Sequence, residues 1–131
     1  MENRFSPDST YRIECSEHQM AMSHSTFTPV VYRNRDRAQL FDMGSDLWSL
    51  QSIEWLSDST VVLKTWMYPG RMFCDLTLDL LAKTGQATRG SFAYFHWQPG
   101  EPLIQAPITF EGSLAEIQQW VSNTGPLKRL R

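Results

Sequence analysis

The chain has 131 residues, 41% of them hydrophobic and 20% charged, with 12 basic and 14 acidic side chains and a formal net charge of −2. The length is typical of one domain, and this apolar content argues against a disordered chain. The near-neutral balance argues against a nucleic-acid-binding protein, because phosphate contacts need a basic surface, and no apolar run approaches the roughly 18 residues of a membrane span. We therefore expect a single domain over residues 1–131, with a flexible start (1–9), a basic tail (126–131) and neither a nucleic-acid nor a membrane partner.

The N-terminal residues contain no apolar stretch of the kind found in a signal peptide, so we expect a cytoplasmic protein. In that reducing compartment Cys15 and Cys74 are expected to be buried free thiols, since unpaired cysteine packs as a small hydrophobic residue.

The first half of the chain predicts four strands, at 11–15, 27–33, 39–43 and 51–56, because apolar and polar residues alternate or β-branched and aromatic residues cluster there. Pro29 has no N–H to donate to a neighbouring strand. We therefore expect the second strand to be an edge strand or to begin after the proline.

The middle of the chain predicts a β-hairpin. Residues 60–68 are rich in β-branched and aromatic side chains, and Pro69-Gly70 has the composition of a turn. In the return run, 74–80, the cysteine and three leucines fall on one face, whereas the two aspartates and the threonine fall on the other. This alternation is typical of an antiparallel strand with one solvated face.

Further along, 82–85 predicts a turn and 86–89 is too short for more than a strand fragment. Residues 91–97 form a strongly β-prone run with aromatic side chains on both faces. The three prolines and one glycine of 98–107 predict a connection, which leads to a short strand at 108–110.

One helix is predicted at Ser113–Asn123. Ser113 and Glu116 have the spacing of a capping box, in which each side chain bonds the other residue's backbone N–H. Apolar residues then recur at helical spacing, and Gly125-Pro126 predicts the end of the helix. We expect Trp120 to anchor the helix on the sheet.

Together these elements predict an α+β fold, a curved antiparallel β-meander of about six to eight strands with one C-terminal amphipathic helix packed on it. This layout is similar to that of many small bacterial cytosolic proteins, among them immunity proteins, which neutralise a cognate toxin by binding it. The resemblance is architectural and transfers no individual residue.

The sequence contains none of the nucleotide-binding, nucleophile-elbow or zinc-protease motifs. His18 and His24 lack the spacing of metal ligands, and His96, between two aromatic residues, is more typical of a packed side chain than of a catalyst. Asp42 and Asp46 flank a glycine in a turn-like segment, where aspartate usually bonds its own backbone. We therefore expect no catalytic residue, metal or cofactor; an enzyme or metal protein centred on a histidine is the least favoured hypothesis.

The strongest functional signal combines acidic and aromatic residues. Segment 42–82 has six acidic and two basic side chains, and the central strands hold more tryptophan and tyrosine than a simple core requires. Because aromatic residues and arginine dominate protein-binding hot spots, we expect a non-enzymatic protein-binding module with a basic partner, such as a toxin. The predicted partner-binding residues are Glu54, Trp66, Tyr68, Arg71, Asp75 and Asp79.

The alternative is an open β-barrel that binds a small apolar ligand. Its pocket would be lined by Trp55, Tyr94 and Trp97.

Overall fold

The computed structural model of the chain describes residues 3–20, 24–68, 72–91 and 107–123. These segments contain eight strands and one helix. In chain order the elements are β1 (Tyr11–Gln19), β2 (Ser25–Arg33), β3 (Ala38–Asp42), β4 (Trp48–Trp55), β5 (Thr60–Met67), β6 (Met72–Asp79), β7 (Thr84–Ser91), β8 (Ile108–Ser113) and α1 (Leu114–Ser122). No helix in the described segments is long and apolar enough to cross a membrane.

The strands form two antiparallel sheets, each a meander. One sheet has the order β1-β2-β3 and the other the order β4-β5-β6-β7-β8. The α+β fold predicted from the sequence is thus confirmed, including the number of strands and the C-terminal helix. The hairpin predicted around 69–70 is also present, as β5 paired with β6; its turn lies outside the described residues.

Both sheets and the helix contribute to one hydrophobic core. A single cluster of buried side chains includes Ile13, Val31 and Phe41 from the three-stranded sheet, and its members from the five-stranded sheet include Trp48 and Leu63. Both thiols are free; Cys74 is buried in this core, whereas Cys15 is only half-buried.

Side-chain hydroxyl groups join the two sheets where β2 passes the start of β4. Thr28 Oγ1 donates to the carbonyl oxygen of Trp48 at 2.8 Å, and Thr26 Oγ1 donates to that of Asp46 at 2.6 Å. In return, Ser49 Oγ accepts from the N–H of Phe27 at 3.1 Å. These bonds satisfy polar groups of adjoining strand ends that no backbone ladder connects.

The prediction for Pro29 is wrong: β2 begins four residues before the proline and is the central strand of its sheet. The register explains why the proline is tolerated. Ile13 N–H points away from β2, to the carbonyl of Arg4, so Cys15, two residues later, also directs its N–H and C=O away from β2. Pro29 lies opposite Cys15 and needs no N–H on that side, and on its other side pairing with β3 begins only at Val30.

The prediction for 86–89 is also wrong, because β7 is a full strand of eight residues between β6 and β8. Its sequence has low strand propensity, but two of its residues must be small. A Cβ on Gly85 would lie 2.7 Å from the Thr77 carbonyl oxygen, and one on Gly90 would lie 2.7 Å from Phe73 Cε1. Tertiary contacts therefore override local propensity here. Most of the β-prone run 91–97 and the connection 98–106 lie outside the described residues.

The helix begins as predicted: Ser113 is the N-cap, and both hydrogen bonds of the capping box with Glu116 are present. Its stop at 125–126 lies outside the described residues. Its buried residues are Leu114, Ile117 and Val121. Trp120, predicted to anchor the helix on the sheet, is half-buried against the core, and its ring stacks on Phe110 of β8 at a centroid distance of 5.4 Å. The guanidinium carbon of Arg89 lies 4.4 Å from the centroid of the same indole.

The hydroxyl bonds between the sheets lead to a stability prediction. Thr28→Val preserves the side-chain shape but leaves the Trp48 carbonyl without its donor, so we expect a loss of about 1–3 kcal/mol in the free energy of unfolding. The matched control is Thr109→Val on β8, where the exposed hydroxyl bonds that of Thr88 at 3.0 Å and water can replace the lost partner, so the expected change is within about 0.5 kcal/mol. Urea denaturation measures the free energy of unfolding of both variants. Equal losses in the two variants would mean that the hydroxyl bonds between the sheets do not stabilise the fold.

Candidate functional site

The alternating pattern of β5 separates a buried face of the five-stranded sheet from an outer face. Val61 and Leu63 are fully buried, whereas Val62, Lys64 and Trp66 point to the opposite side and are half-buried or exposed. This division agrees with the alternation seen in the sequence. We call the side that carries Lys64 and Trp66 the outer face.

The register places residues of five strands in continuous rows across the outer face. One row is Glu54, Val62, Thr77, Gln86 and Glu111. A second row contains Ser52, Lys64, Asp75, Thr88 and Thr109, and a third contains Ser49, Trp66, Phe73 and Gly90. Directly opposed side chains on one face of an antiparallel sheet are close neighbours, so these rows define which groups act together.

The third row forms the aromatic end of the outer face. Trp66 and Phe73 are cross-strand neighbours, and Phe73 lies against the backbone of Gly90, where any Cβ would collide with the ring. At the same end the rings of Tyr68 and His24 are tilted by 50° with centroids 5.9 Å apart. A histidine of the β1–β2 connection thus adjoins the aromatic residues of the five-stranded sheet.

The charged groups of the outer face are mostly acidic. On the described strands the face carries four carboxylates, from Glu54, Asp75, Asp79 and Glu111, and a single ammonium group, from Lys64. Asp79 is the last residue of β6, and its Oδ1 accepts from the N–H of Ala82 at 3.0 Å in the turn that follows.

An open groove of about 540 Å³ lies at the end of the face occupied by Asp79. Both Asp79 and Glu111 line it, and the other lining side chains include Thr60, Thr77 and Gln86. None of its described lining residues is basic. The groove therefore offers two carboxylates in a concave site.

Asp75 lies at the centre of the face in a less polar setting. Burial raises the pKa of this carboxyl group above its usual range, while the charge of Lys64 on the neighbouring strand opposes the shift. The raised pKa means that burial disfavours the ionised form. Asp75 is thus half-buried, whereas Glu54 of the same face is exposed.

The structure brings together five of the six residues predicted to bind a partner. Glu54, Trp66, Asp75 and Asp79 lie on the outer face, and Tyr68 directly follows β5 at its aromatic end. Arg71 lies outside the described residues. Their shared face is a geometric finding; the binding role stays a prediction.

Of the predicted ligand pocket, only Trp55 is described. It is half-buried, and its indole N–H donates to the Asn3 carbonyl oxygen at 2.7 Å. Tyr94 and Trp97 lie outside the described residues. A different cavity, of about 450 Å³, is lined by Arg4, Glu14, Cys15 and Phe27.

Sequence reasoning missed Phe73, Glu111 and His24 as members of this surface. Phe73 could have been found, because it alternates with the inward residues of 74–80 and so points outward with Asp75. Glu111 and His24 could not, since their positions depend on the pairing of β8 and on the β1–β2 connection.

The remaining candidate groups are the histidines and the two aspartates of the turn-like segment. Within the described residues no group of three or more His, Cys, Asp or Glu side chains could hold a metal ion. His18 Nδ1 lies 3.8 Å from Asp46 Oδ2, and Asp42 Oδ1 accepts from the N–H of Gly44 at 2.7 Å, as expected for a turn aspartate. His96 lies outside the described residues.

Asp75 supplies a pH-dependent prediction. Because its pKa is raised in the folded state, the folded protein binds this proton more tightly than the unfolded chain does, and stability is lost as the pH rises through the folded pKa. Asp75→Asn should therefore unfold at higher urea concentration at pH 7, by less than about 1 kcal/mol for a half-exposed group. The gain should shrink toward pH 3.

The matched control is Glu54→Gln, which removes an exposed carboxylate from the same face and should change stability little at either pH. A less stable Asp75→Asn variant at pH 7 would mean that the attraction of Lys64 outweighs the desolvation of Asp75.

Comparisons with protein-family models, with curated proteins and with solved structures found no match to this chain. The outer face is therefore interpreted from its own geometry and charge.

Proposed function

We propose that this protein is a non-enzymatic protein-binding module and that its outer face binds a basic surface of a protein partner. The observation that carries the proposal is the acidic groove, in which Asp79 and Glu111 line one concavity and no described lining residue is basic. Such a site suits lysine or arginine side chains of a partner.

The aromatic end of the face supports the same proposal. Trp66 and Phe73 are adjacent and half-buried, with Tyr68 nearby. Aromatic residues next to a charged rim are typical of protein-binding hot spots, where large rigid side chains exclude water around polar contacts. Aromatic contacts would supply affinity, and the carboxylates would supply orientation and rapid association.

An immunity-type role is the specific form of the proposal. In this role the protein is a bacterial, cytoplasmic inhibitor that neutralises a cognate toxin by covering a basic surface. An acidic, rigid sheet face is suited to that task, because surfaces that act on nucleic acid or on other anionic substrates are themselves basic.

The alternative, a binder of small apolar ligands, has weaker support. The cavity of about 450 Å³ has mixed lining, with one charged group of each sign, and Trp55 does not line it. The space between the sheets is occupied by buried side chains such as Trp48, Phe41 and Leu63.

The proposal is tested by co-expression with the product of the adjacent reading frame in the source genome. We expect the wild-type chain to bind this product and to relieve its toxicity. Asp79→Asn combined with Glu111→Lys should weaken binding at least about tenfold, equivalent to about 1.4 kcal/mol, and should reduce the rescue of growth. Asp79→Asn keeps an oxygen acceptor for the N–H of Ala82, so the turn is preserved.

The control is Asp58→Lys, which makes a charge reversal at an exposed residue of the β4–β5 turn. Its affinity should stay within about twofold of the wild type, as expected for a charge outside the interface. If the wild type, the double variant and Asp58→Lys bind the product equally well at equal expression, the acidic groove is excluded as the interface.

A further inference from the structure

The exposed edge of β1 is already used as a template for strand pairing. Ile13 N–H donates to the Arg4 carbonyl at 2.8 Å, and Ser6 N–H donates to the Tyr11 carbonyl at 2.9 Å. The segment from Arg4 to Ser6 therefore covers the first half of this edge. At Asn3 the backbone takes a positive φ of 64°, and the Asn3 carbonyl accepts from the indole N–H of Trp55 on the other sheet.

The second half of the same edge has no strand beside it among the described residues. Backbone groups alternate along an antiparallel strand, so Cys15 and Glu17 direct their N–H and C=O groups outward, as Ile13 does. No proline, lysine or bulge interrupts the stretch from Cys15 to Gln19. Prolines, lysines and bulges are features by which proteins protect an edge from further pairing; charged side chains serve the same purpose, and here the stretch carries Glu17.

A cavity lies directly beside this open edge. The volume of about 450 Å³ is lined by Cys15 and Phe27 from one face of the sheet, by Glu14 from the other face and by Arg4 from the N-terminal segment. Phe27 is 42% exposed. The cavity thus offers an apolar position next to Cys15, with the Arg4 guanidinium group at the end that the N-terminal segment closes.

A second copy of the chain is a poor occupant. A two-fold ladder that uses the whole open stretch from Cys15 to Gln19 is centred on Glu17, which would place two Glu17 carboxylates directly opposite each other. Like charges in that position are destabilising. A ladder shifted toward the N-terminus would collide with the segment paired to Ile13.

A strand from another protein avoids this repulsion if it places a basic side chain opposite Glu17. If it runs antiparallel to β1, its C-terminal end reaches Arg4, since β1 itself runs away from that residue. A basic side chain opposite Glu17 and an apolar side chain opposite Cys15 then lie two residues apart on one face of the added strand, as strand geometry requires.

We propose that the open half of the β1 edge binds the C-terminal segment of a partner protein as an added antiparallel strand. In this complex a basic residue lies opposite Glu17, an apolar residue fills the cavity beside Cys15, and the terminal carboxylate binds Arg4. The site belongs to the three-stranded sheet and does not depend on the function proposed for the outer face.

The test is a titration of the isotope-labelled full chain, followed by NMR, with the peptide acetyl-Thr-Thr-Lys-Thr-Val-Thr as the free acid. We expect saturable shifts and slower hydrogen exchange at the amides of Cys15 and Glu17. The amide hydrogen-exchange rates of Glu14 and Ser16 should stay unchanged, because their N–H groups already donate to β2. The same peptide with glutamate in place of lysine, or with an amidated C-terminus, should bind more weakly.

Two variants of Glu17 separate the contribution of its backbone N–H to peptide binding from that of its side chain. Glu17→Ala removes the carboxylate and the Cγ methylene, keeps the backbone N–H, and should weaken binding of the peptide about threefold. Glu17→Pro also removes the outward N–H, without affecting the β1–β2 ladder, and should weaken binding about tenfold. Arg4→Gln removes the cation, together with the 3.4 Å hydrogen bond from Arg4 Nε to the Ile13 carbonyl oxygen, and should abolish the preference for the free acid.

Absence of shifts at Cys15 and Glu17 at millimolar peptide would overturn the proposal. So would equal binding by Glu17→Pro, or a dimer of the free protein that protects these two amides. None of these results bears on the acidic groove, which lies on the other sheet, so failure here and failure of the proposed function are distinguishable.

Discussion

The register of the five-stranded sheet is the constraint on which both the core and the candidate site depend. Leu63, Leu76 and Ala87 form one cross-strand row and are fully buried, whereas the adjacent row carries Lys64, Asp75 and Thr88 on the opposite side. A slip of one residue would place charges in the core and leucines in solvent. The same pairing that secures the core therefore also determines which acidic and aromatic side chains share a surface.

The two sheets have different roles in the structure. The five-stranded sheet presents a broad regular face and receives the helix, which begins with a full capping box and buries Ile117 against it. The three-stranded sheet closes the other side of the core and is joined to β4 through the hydroxyls of Thr26 and Thr28 rather than through a backbone ladder. β1 lies at the edge of this smaller sheet, and no described strand pairs with the second half of its outer side.

Local patterns predicted most elements but could not predict how they combine. The alternation of 74–80 and the Ser113–Glu116 spacing each specify a local structure, and both are confirmed. The errors at Pro29 and in β7 arose where a neighbouring strand, rather than the residue itself, decides what is tolerated. The division into two sheets and the meeting of Asp79 with Glu111 depend on pairings between segments far apart in sequence, for which a single sequence carries no signal.

The proposed function requires that the outer face, and not another part of the surface, meets the partner. Its most direct test is a map of amide chemical-shift changes in the isotope-labelled protein when the purified product of the adjacent reading frame is added. We expect the changes to cluster at Glu54, Lys64, Asp75, Asp79 and Glu111. Changes confined to the solvated side of the three-stranded sheet, around Arg12 and Tyr32, would contradict it.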